Sequence, residues 1–351
     1  MSLVVRIYKK LPHFTLDVDF TCEDHFICLL GASGSGKSMT LKCIAGLEKP
    51  DRGYIALNGR VLFDAEKKID ISPQERKVGY LFQNYALFNN MTVAENILIS
   101  LYKNKNQEEK KQKLKEMLHL MRLEGQEDKY PFQLSGGQQQ RTALARILMS
   151  SPELLLLDEP FAALDSHLRE KLQMEMKELL NSYSRQVIMV THDRDEAYRM
   201  AEDTGVLDNG HLPVFKKTKE LYRNPEYVSA ARLIGCKNIV RIKPLSDHEM
   251  AVEEWGITIR MEKEIPMDIT HIGIKAHHFG KDKQLMYPIT YHGGLEDTFE
   301  YIVRFRFLNQ KSDSSDIWWK IPSANMEPKL PEIIGFNEQD ILLLKEEESE
   351  C

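Results

Sequence analysis

Cysteine is scarce in this chain and carries no pattern. The five residues, Cys22, Cys28, Cys43, Cys236 and Cys351, include no pair spaced as CxxC. That excludes the usual ligand spacing of a structural zinc site and of a dithiol redox pair, and fits reduced thiols in a cytosolic protein. Long apolar runs are missing as well: no window approaches the roughly 18 residues that a membrane-spanning helix needs. The first residues, Met1-Ser2-Leu3-Val4-Val5-Arg6, lack the basic-then-apolar signature of a secretory leader. Any work at a membrane is therefore expected to pass through a partner chain. Positive charge is not in excess, since 47 Lys and Arg stand against 53 Asp and Glu for a formal net charge of −6. Without a basic footprint, no nucleic-acid partner is expected. No internal repeat or low-complexity tract is visible.

The chain does have length and apolar content. Its 351 residues, 42% of them hydrophobic, suit two or three domains with sizeable cores. Residues 3–8 and 14–20 alternate as strands on either side of Pro12. Residues 26–30, 77–82, 154–157 and 187–190 are short apolar runs of the kind that form buried strands. Residues 39–46, 105–123, 141–150 and 166–183 read as helices, the second through Leu114, Met117, Leu118 and Met121 at helical spacing. Tyr54-Ile55-Ala56-Leu57 and Val61-Leu62-Phe63 flank Asn58-Gly59, a strong hairpin signal. Short apolar strands alternating with helices imply an α/β fold with a mostly parallel sheet. The character changes near residue 236. Residues 251–261, 269–274, 301–307 and 317–321 alternate as half-buried strands, and His292-Gly293-Gly294 reads as a turn. Residues 1–235 are thus expected to form one domain, with a helical subdomain at about 84–150. Residues 236–351 are expected to form a small β-rich, barrel-like domain ending in a solvated acidic tail from Lys345.

Chemistry concentrates in the first part. Gly31-Ala32-Ser33-Gly34-Ser35-Gly36-Lys37-Ser38 follows an apolar strand and opens a helix, the setting of a phosphate-binding loop. Its glycines permit the tight turns that aim backbone N–H groups at a polyphosphate, and the helix start adds favourable dipole charge. Lys37 is expected to reach the β- and γ-phosphates of ATP and Ser38 to ligate Mg²⁺. Asp158 and Glu159 end the strand Leu154-Leu155-Leu156-Leu157. Asp158 suits the same hard cation, and Glu159 suits polarising the attacking water. Gln83, at the end of another apolar run, is placed to contact Mg²⁺ or that water. His192, after the strand of residues 187–190, is placed to contact the γ-phosphate.

A second anion site is implied by Leu134-Ser135-Gly136-Gly137-Gln138, because two glycines and a serine again open a helix. Two phosphate-binding helix starts in one chain are most economically explained by a head-to-tail dimer, with each ATP held between the loop of one copy and this segment of the other.

At this point the residues resemble the ATP-binding subunit of ABC transporters. The phosphate loop, Gln83, Leu-Ser-Gly-Gly-Gln at 134–138, Leu154 to Pro160, Ala163-Leu164-Asp165 and His192 occur in the family's order, within residues 1–235. The resemblance implies a P-loop ATPase fold and a nucleotide site that includes Ser33, Gly34, Ser35, Gly36, Lys37, Ser38 and Met39. Across the dimer it adds Ser135, Gly136, Gly137 and Gln138, with Ser135 and Gly137 on the γ-phosphate. It implies that Asp165 lies at the dimer interface, and that Gln83 with Asn84-Tyr85-Ala86-Leu87-Phe88 senses permease chains. The adenine-stacking aromatic of the family falls on Phe14, with His13 as the second candidate and a core role as the other reading of Phe14. The C-terminal β-rich domain resembles that of importers, most nearly the molybdate or sulfate type. Lys275, His277 and His278 then read either as an oxyanion site or as solvated hairpin residues. The implied protein is an ATP-hydrolysing importer subunit on the cytoplasmic face of the membrane, served by permeases and a substrate-binding protein. Import of iron, a sugar or a polyamine, and a soluble non-transport ABC ATPase, are the alternatives.

Overall fold

The computed structural model describes residues 2–23, 26–102, 105–162, 166–182, 185–325 and 330–347. Two units make up the chain, Met1–Thr218 and Lys219–Cys351. The division falls earlier than the 235/236 boundary read from composition, so two short helices between those points sit with the second unit.

The first unit holds strands β1 (Leu3–Lys10), β2 (Thr15–Cys22), β3 (Phe26–Leu30), β4 (Arg52–Leu57), β5 (Arg60–Asp64) and β6 (Ile69–Asp70). It continues with β7 (Val78–Leu81), β8 (Leu154–Asp158), β9 (Gln186–Thr191), β10 (Asp203–Asp208) and β11 (His211–Lys217). Its helices are α1 (Lys37–Ala45), α2 (Val93–Leu98), α3 (Gln107–Leu120), α4 (Gly136–Leu148), α5 (Ser166–Ser182) and α6 (Arg194–Met200). The strands join one sheet in the order β6-β5-β4-β1-β2-β11-β10-β3-β9-β8-β7. From β10 through β3, β9 and β8 to β7 every pairing is parallel, while β1, β2, β4, β5 and β6 form an antiparallel wing.

Burial explains why these strands were readable. β3, β8 and β9 are buried at every position, so a parallel strand covered on both faces appears as an unbroken apolar run. β2 alternates buried and open positions in register with its lone covered face. At the β4–β5 hairpin, Asn58 and Gly59 take φ of 52° and 78°, the left-handed pair that a two-residue turn requires.

One consequence places the site. β3, β9, β8 and β7 are adjacent and parallel, so the segments that follow them emerge on the same edge. Those segments carry the phosphate loop, His192, Glu159 and Gln83. Ligands of open parallel sheets bind in such a crevice, beyond the carboxyl ends of the strands.

The second unit contains α7 (Thr218–Arg223), α8 (Val228–Leu233), β12 (Asn238–Arg241), β13 (Lys243–Ser246), β14 (Glu249–Val252), β15 (Ile257–Arg260) and β16 (His271–Ile274). It ends with β17 (Leu285–Glu296), β18 (Glu300–Phe307), β19 (Ile317–Pro322), β20 (Ile333–Phe336) and β21 (Ile341–Leu344). These strands form three antiparallel sheets, β12-β16-β21, β13-β14-β15 and β19-β18-β17-β20. They share one core that includes Trp255, Phe279, Phe305, Phe307 and Phe336. The described strands thus surround a core as three separate sheets and not as one closed barrel.

Two local expectations are corrected. His292-Gly293-Gly294 is not a turn: it lies inside β17, where the register shifts between Tyr291 and Gly293 and Gly293 takes φ of 123°. A glycine within a strand marks a bulge as readily as a turn, and here pairing with β18 carries the strand through. The acidic tail is docked where it begins, since Lys345 N–H donates to Glu226 and Val228 N–H donates to the Lys345 carbonyl. Glu347 also accepts from the Ser229 N–H at 3.0 Å.

Candidate active site

The phosphate loop is shaped by sterics before any ligand is considered. A Cβ on Gly31 would lie 2.4 Å from the Leu207 carbonyl oxygen and 2.5 Å from Ser35 Oγ. Gly34 and Gly36 take φ of 82° and 103°. The loop is pinned from both sides, with Gly31 N–H donating to the Thr191 carbonyl at 3.3 Å and Gly210 N–H donating to the Ser35 carbonyl at 3.1 Å. Ser33 and Gly34 face solvent at its crest. Ser35 Oγ is buried without a hydrogen-bond partner among the described residues. A buried hydroxyl without a partner inside an amide-lined loop is a fitting donor for a phosphate oxygen.

Lys37 is buried and folds across the loop, donating from Nζ to the carbonyls of Gly31 at 2.9 Å and Ala32 at 2.7 Å. Burial lowers its pKa, while the charges of Glu159 and Asp158 act in the opposite direction. Met39 is half-buried, its side chain packed against the core, in the first turn of α1.

Asp158 joins the loop to β8. Its Oδ1 accepts from Ser38 Oγ at 2.7 Å and its Oδ2 accepts from the Tyr80 hydroxyl at 2.7 Å. Tyr80 was not singled out in the sequence; the signal was a hydroxylated ring within an otherwise apolar strand. Burial, followed by the bond to Asp158, pushes its pKa upward and keeps it a donor.

Glu159 takes a left-handed φ of 45° at the strand exit, uncommon for a residue with a side chain. Its N–H donates to the Val190 carbonyl at 3.1 Å. Its Oε2 lies 3.3 Å from His192 Nδ1 and 3.5 Å from Gln83 Nε2. A cavity of about 40 Å³ opens between Glu159, Thr191, His192 and Glu196, roomy enough for a water molecule. Gln83, Glu159 and His192 therefore converge as the strand order requires.

Comparison with known proteins bears on the family and the fold. The family model described as ABC transporter matches residues 16–162. A sulfate/thiosulfate import ATP-binding protein of Chromobacterium violaceum is 41% identical over 244 residues, covering 70% of this chain and 64% of the relative. An Fe(3+) ions import ATP-binding protein of Haemophilus influenzae is 34% identical over 305 residues, covering 86% of each. A dimeric ATP-binding cassette solved in a post-hydrolysis state with ADP and Pi is 30% identical, at a TM-score of 0.52, over 62% of this chain and 99% of that one. The chain belongs to the ABC transporter family. It is an ATP-binding subunit of importer type, an ABC ATPase core followed by a β-rich region.

In this ABC ATPase the signature segment stands apart from the cluster just described. Ser135 caps α4, accepting from Gln138 N–H at 3.3 Å while its own N–H donates to the Gln138 side chain at 2.9 Å. That reciprocal bonding is a capping box. Ser135 and Gly136 are exposed, Gly137 and Gln138 half-buried. A Cβ on Gly137 would meet Leu172 of α5 at 3.2 Å. Among the described residues, no hydrogen bond or ion pair links residues 135–138 to the phosphate loop. Gln140 and Arg146, also not singled out from sequence, tie α4 to its surroundings: buried Gln140 donates to the Pro160 carbonyl at 3.0 Å, and Arg146 donates to the carbonyls of Ala86 at 2.7 Å and Tyr85 at 3.0 Å.

Phe14 is half-buried, packed against the sheet core with its ring beneath Gly36 and Gly210. His13 is exposed. Asp165 lies outside the described residues. In the second unit, the rings of His277 and His278 meet edge to face at 4.3 Å between centroids, while Lys275 turns to another element. Lys275 donates to the Tyr222 carbonyl at 2.6 Å and His278 faces Asp340 at 3.4 Å, whereas His277 lines a separate cleft with Lys281 and Trp319. Among the described residues, no helix is long and apolar enough to cross a membrane.

Proposed function

We propose that this chain hydrolyses ATP with Mg²⁺ as part of a head-to-tail pair, and that hydrolysis drives import of an oxyanion of the sulfate class. The observation that carries the reading is the convergence of Lys37, Asp158, Glu159, Gln83 and His192 at neighbouring strand ends, with a second anion-binding helix start at residues 135–138 outside it. Each cluster alone is half of a triphosphate site.

In the proposed reaction Lys37 offsets phosphate charge, and the amides of residues 31–38 hold the polyphosphate in line. Glu159 accepts a hydrogen bond from a water in the adjoining cavity, polarising it and aiming its lone pair. His192 and Gln83 fix the Glu159 carboxylate and face the transferring group. The oxygens of Ser38 and Asp158, 2.7 Å apart, fit a small hard cation that shares its coordination with phosphate. When bound, Mg²⁺ supplies charge neutralisation at the phosphate oxygens.

Permease chains are proposed to dock on the segment of residues 83–88, which holds this ATPase at the inner membrane face, with a substrate-binding protein delivering cargo. The sulfate class follows the similarity to sulfate/thiosulfate import proteins. Ferric iron is the second reading, favoured by one observation: the similarity to the Fe(3+) importer protein covers 86% of this chain and so runs far into the second unit.

Two experiments test the reading. Ser135→Arg and Lys37→Ala chains are assayed for ATP hydrolysis separately and mixed. Activity that returns only in the mixture supports a site shared between two copies, and a mixture as inert as its parts removes it. Cells lacking the chain are assayed for uptake of labelled sulfate and ferric iron, and loss of sulfate uptake alone supports the first cargo.

A further inference from the structure

The segment after β7 is held by a contact that the reaction itself does not need. Tyr85 and Ala86 are consecutive non-glycine residues with left-handed φ of 60° and 43°, a conformation unfavourable for L-residues unless held. Both carbonyls point at one guanidinium. Arg146 Nη1 donates to Ala86 at 2.7 Å and Nη2 to Tyr85 at 3.0 Å, while its Cζ sits 5.3 Å from the Phe88 ring centroid. A planar fork satisfies two carbonyls at fixed geometry in a way an ammonium cannot.

Arg146 lies in the last turn of α4, and Ser135 caps the first. The intervening helix is a rigid rod of about 15 Å at 1.5 Å per residue. At the other end of the clamped segment, Gln83 reaches Glu159 at 3.5 Å, and Phe88 is 43% exposed. One short segment therefore touches the hydrolytic carboxylate, an outward-facing surface and, through Arg146, the signature helix.

We propose that Arg146 is a positioning residue that makes residues 83–88 and the Ser135 helix start move as one body. Closure of one copy's loop on nucleotide thereby sets the helix start offered to the other copy. This rests on the two-copy reading given under Proposed function.

The test uses the full chain in a Glu159→Gln background, comparing nucleotide affinity of the dilute monomer with ATP-dependent dimerisation by sedimentation. Arg146→Met is expected to keep ATP affinity within about twofold and to weaken dimerisation about tenfold or more. Arg146→Lys, reaching one carbonyl, should fall between. Ser100→Ala removes the 2.6 Å bond from Ser100 Oγ to the Arg146 carbonyl, loosens the same region without touching the fork, and should dimerise as the parent does. Parent-like dimerisation of Arg146→Met overturns the proposal alone. So does an equal loss of affinity and dimerisation, or a Ser100→Ala defect matching that of Arg146→Met. If the Glu159→Gln parent does not pair with ATP, the two-copy reading falls and takes this proposal with it.

Discussion

Ser38 and Asp158 stand 120 positions apart in the chain and meet at 2.7 Å, hydroxyl to carboxylate. The contact joins the first turn of α1 to the end of β8, two elements whose only reason to be neighbours is the strand order β3-β9-β8. Tyr80 completes the arrangement by donating to the other carboxylate oxygen at 2.7 Å. Replacing Tyr80 with Phe removes one bond to a charged acceptor in a largely buried place. The expected loss is about 1.5–3 kcal/mol of stability, read by urea unfolding. A stability equal to that of the parent would mean that water replaces the phenol without cost.

Glu159→Gln keeps the shape of the side chain and deletes its charge. ATP binding should persist, because the loop amides, Lys37 and Ser38 are untouched. Turnover should drop by about 10²–10⁴-fold, the usual span for a positioned base. Phosphate release under saturating ATP measures it, and turnover at the parent rate would remove Glu159 from its role.

Two glycines of the phosphate loop separate sterics from backbone preference. Gly31→Ala drives a Cβ to 2.4 Å from the Leu207 carbonyl oxygen, so the loop must shift and nucleotide binding should be lost. Gly34→Ala meets nothing within 4 Å and pays only for its φ of 82°, about 1–2 kcal/mol. It should still bind ATP in a calorimetric titration. Equal loss of binding in both would show that conformational freedom, not space, governs the loop.

Arg76 is fully buried beneath α1. It donates to the carbonyls of Cys43 and Ile44 at 2.9 Å each and of Ile71 at 2.8 Å, and pairs with Asp70 at 3.1 Å. It thereby satisfies carbonyls at the end of α1 that the helix cannot. Arg76→Met takes this donor from the Ile44 and Ile71 carbonyls, at an expected cost of about 1–3 kcal/mol. Arg76→Lys should recover part of it. Thermal unfolding of the three chains side by side gives the order.

The second unit should weaken in mild acid. Burial is the first cause that holds His271, His277 and His278 below the ordinary histidine value of 6.5. The folded unit therefore binds fewer protons than the unfolded one once pH falls through 6.5, and stability declines from there towards the folded values. All three tryptophans, Trp255, Trp318 and Trp319, lie in this unit, so their fluorescence reports its unfolding selectively. The urea midpoint should be lower at pH 5.5 than at 7.5, with a smaller difference in a His277→Asn/His278→Asn chain. An unchanged midpoint would contradict histidines held neutral by the fold.

Particular residues show where sequence reading succeeds and where it stops. Asn58-Gly59 was a turn by its own backbone preference and became one, whereas Gly293 offered the same local signal and became a bulge because β18 pairs through it. Phe26 to Leu30 and Leu154 to Asp158 were readable because strands buried on both faces need no alternation. Arg76 and Arg146 gave no sequence signal, since nothing beside them in the chain marks the carbonyls they serve. Lys275 and His278 are close in sequence, yet one turns to the Tyr222 carbonyl and the other to Asp340, which their spacing does not reveal.

By itself, the amino-acid order determined the buried strands, the Asn58-Gly59 hairpin, the α/β class and the types of group available for phosphate chemistry, because these follow from covalent neighbours and periodic burial. Only the tertiary structure decided that Gln83, Glu159 and His192 face one another, that Tyr80 holds Asp158, and that the signature helix is clamped to the segment after β7. Those meetings depend on which strands lie side by side, and that order is set by packing between residues remote in the chain.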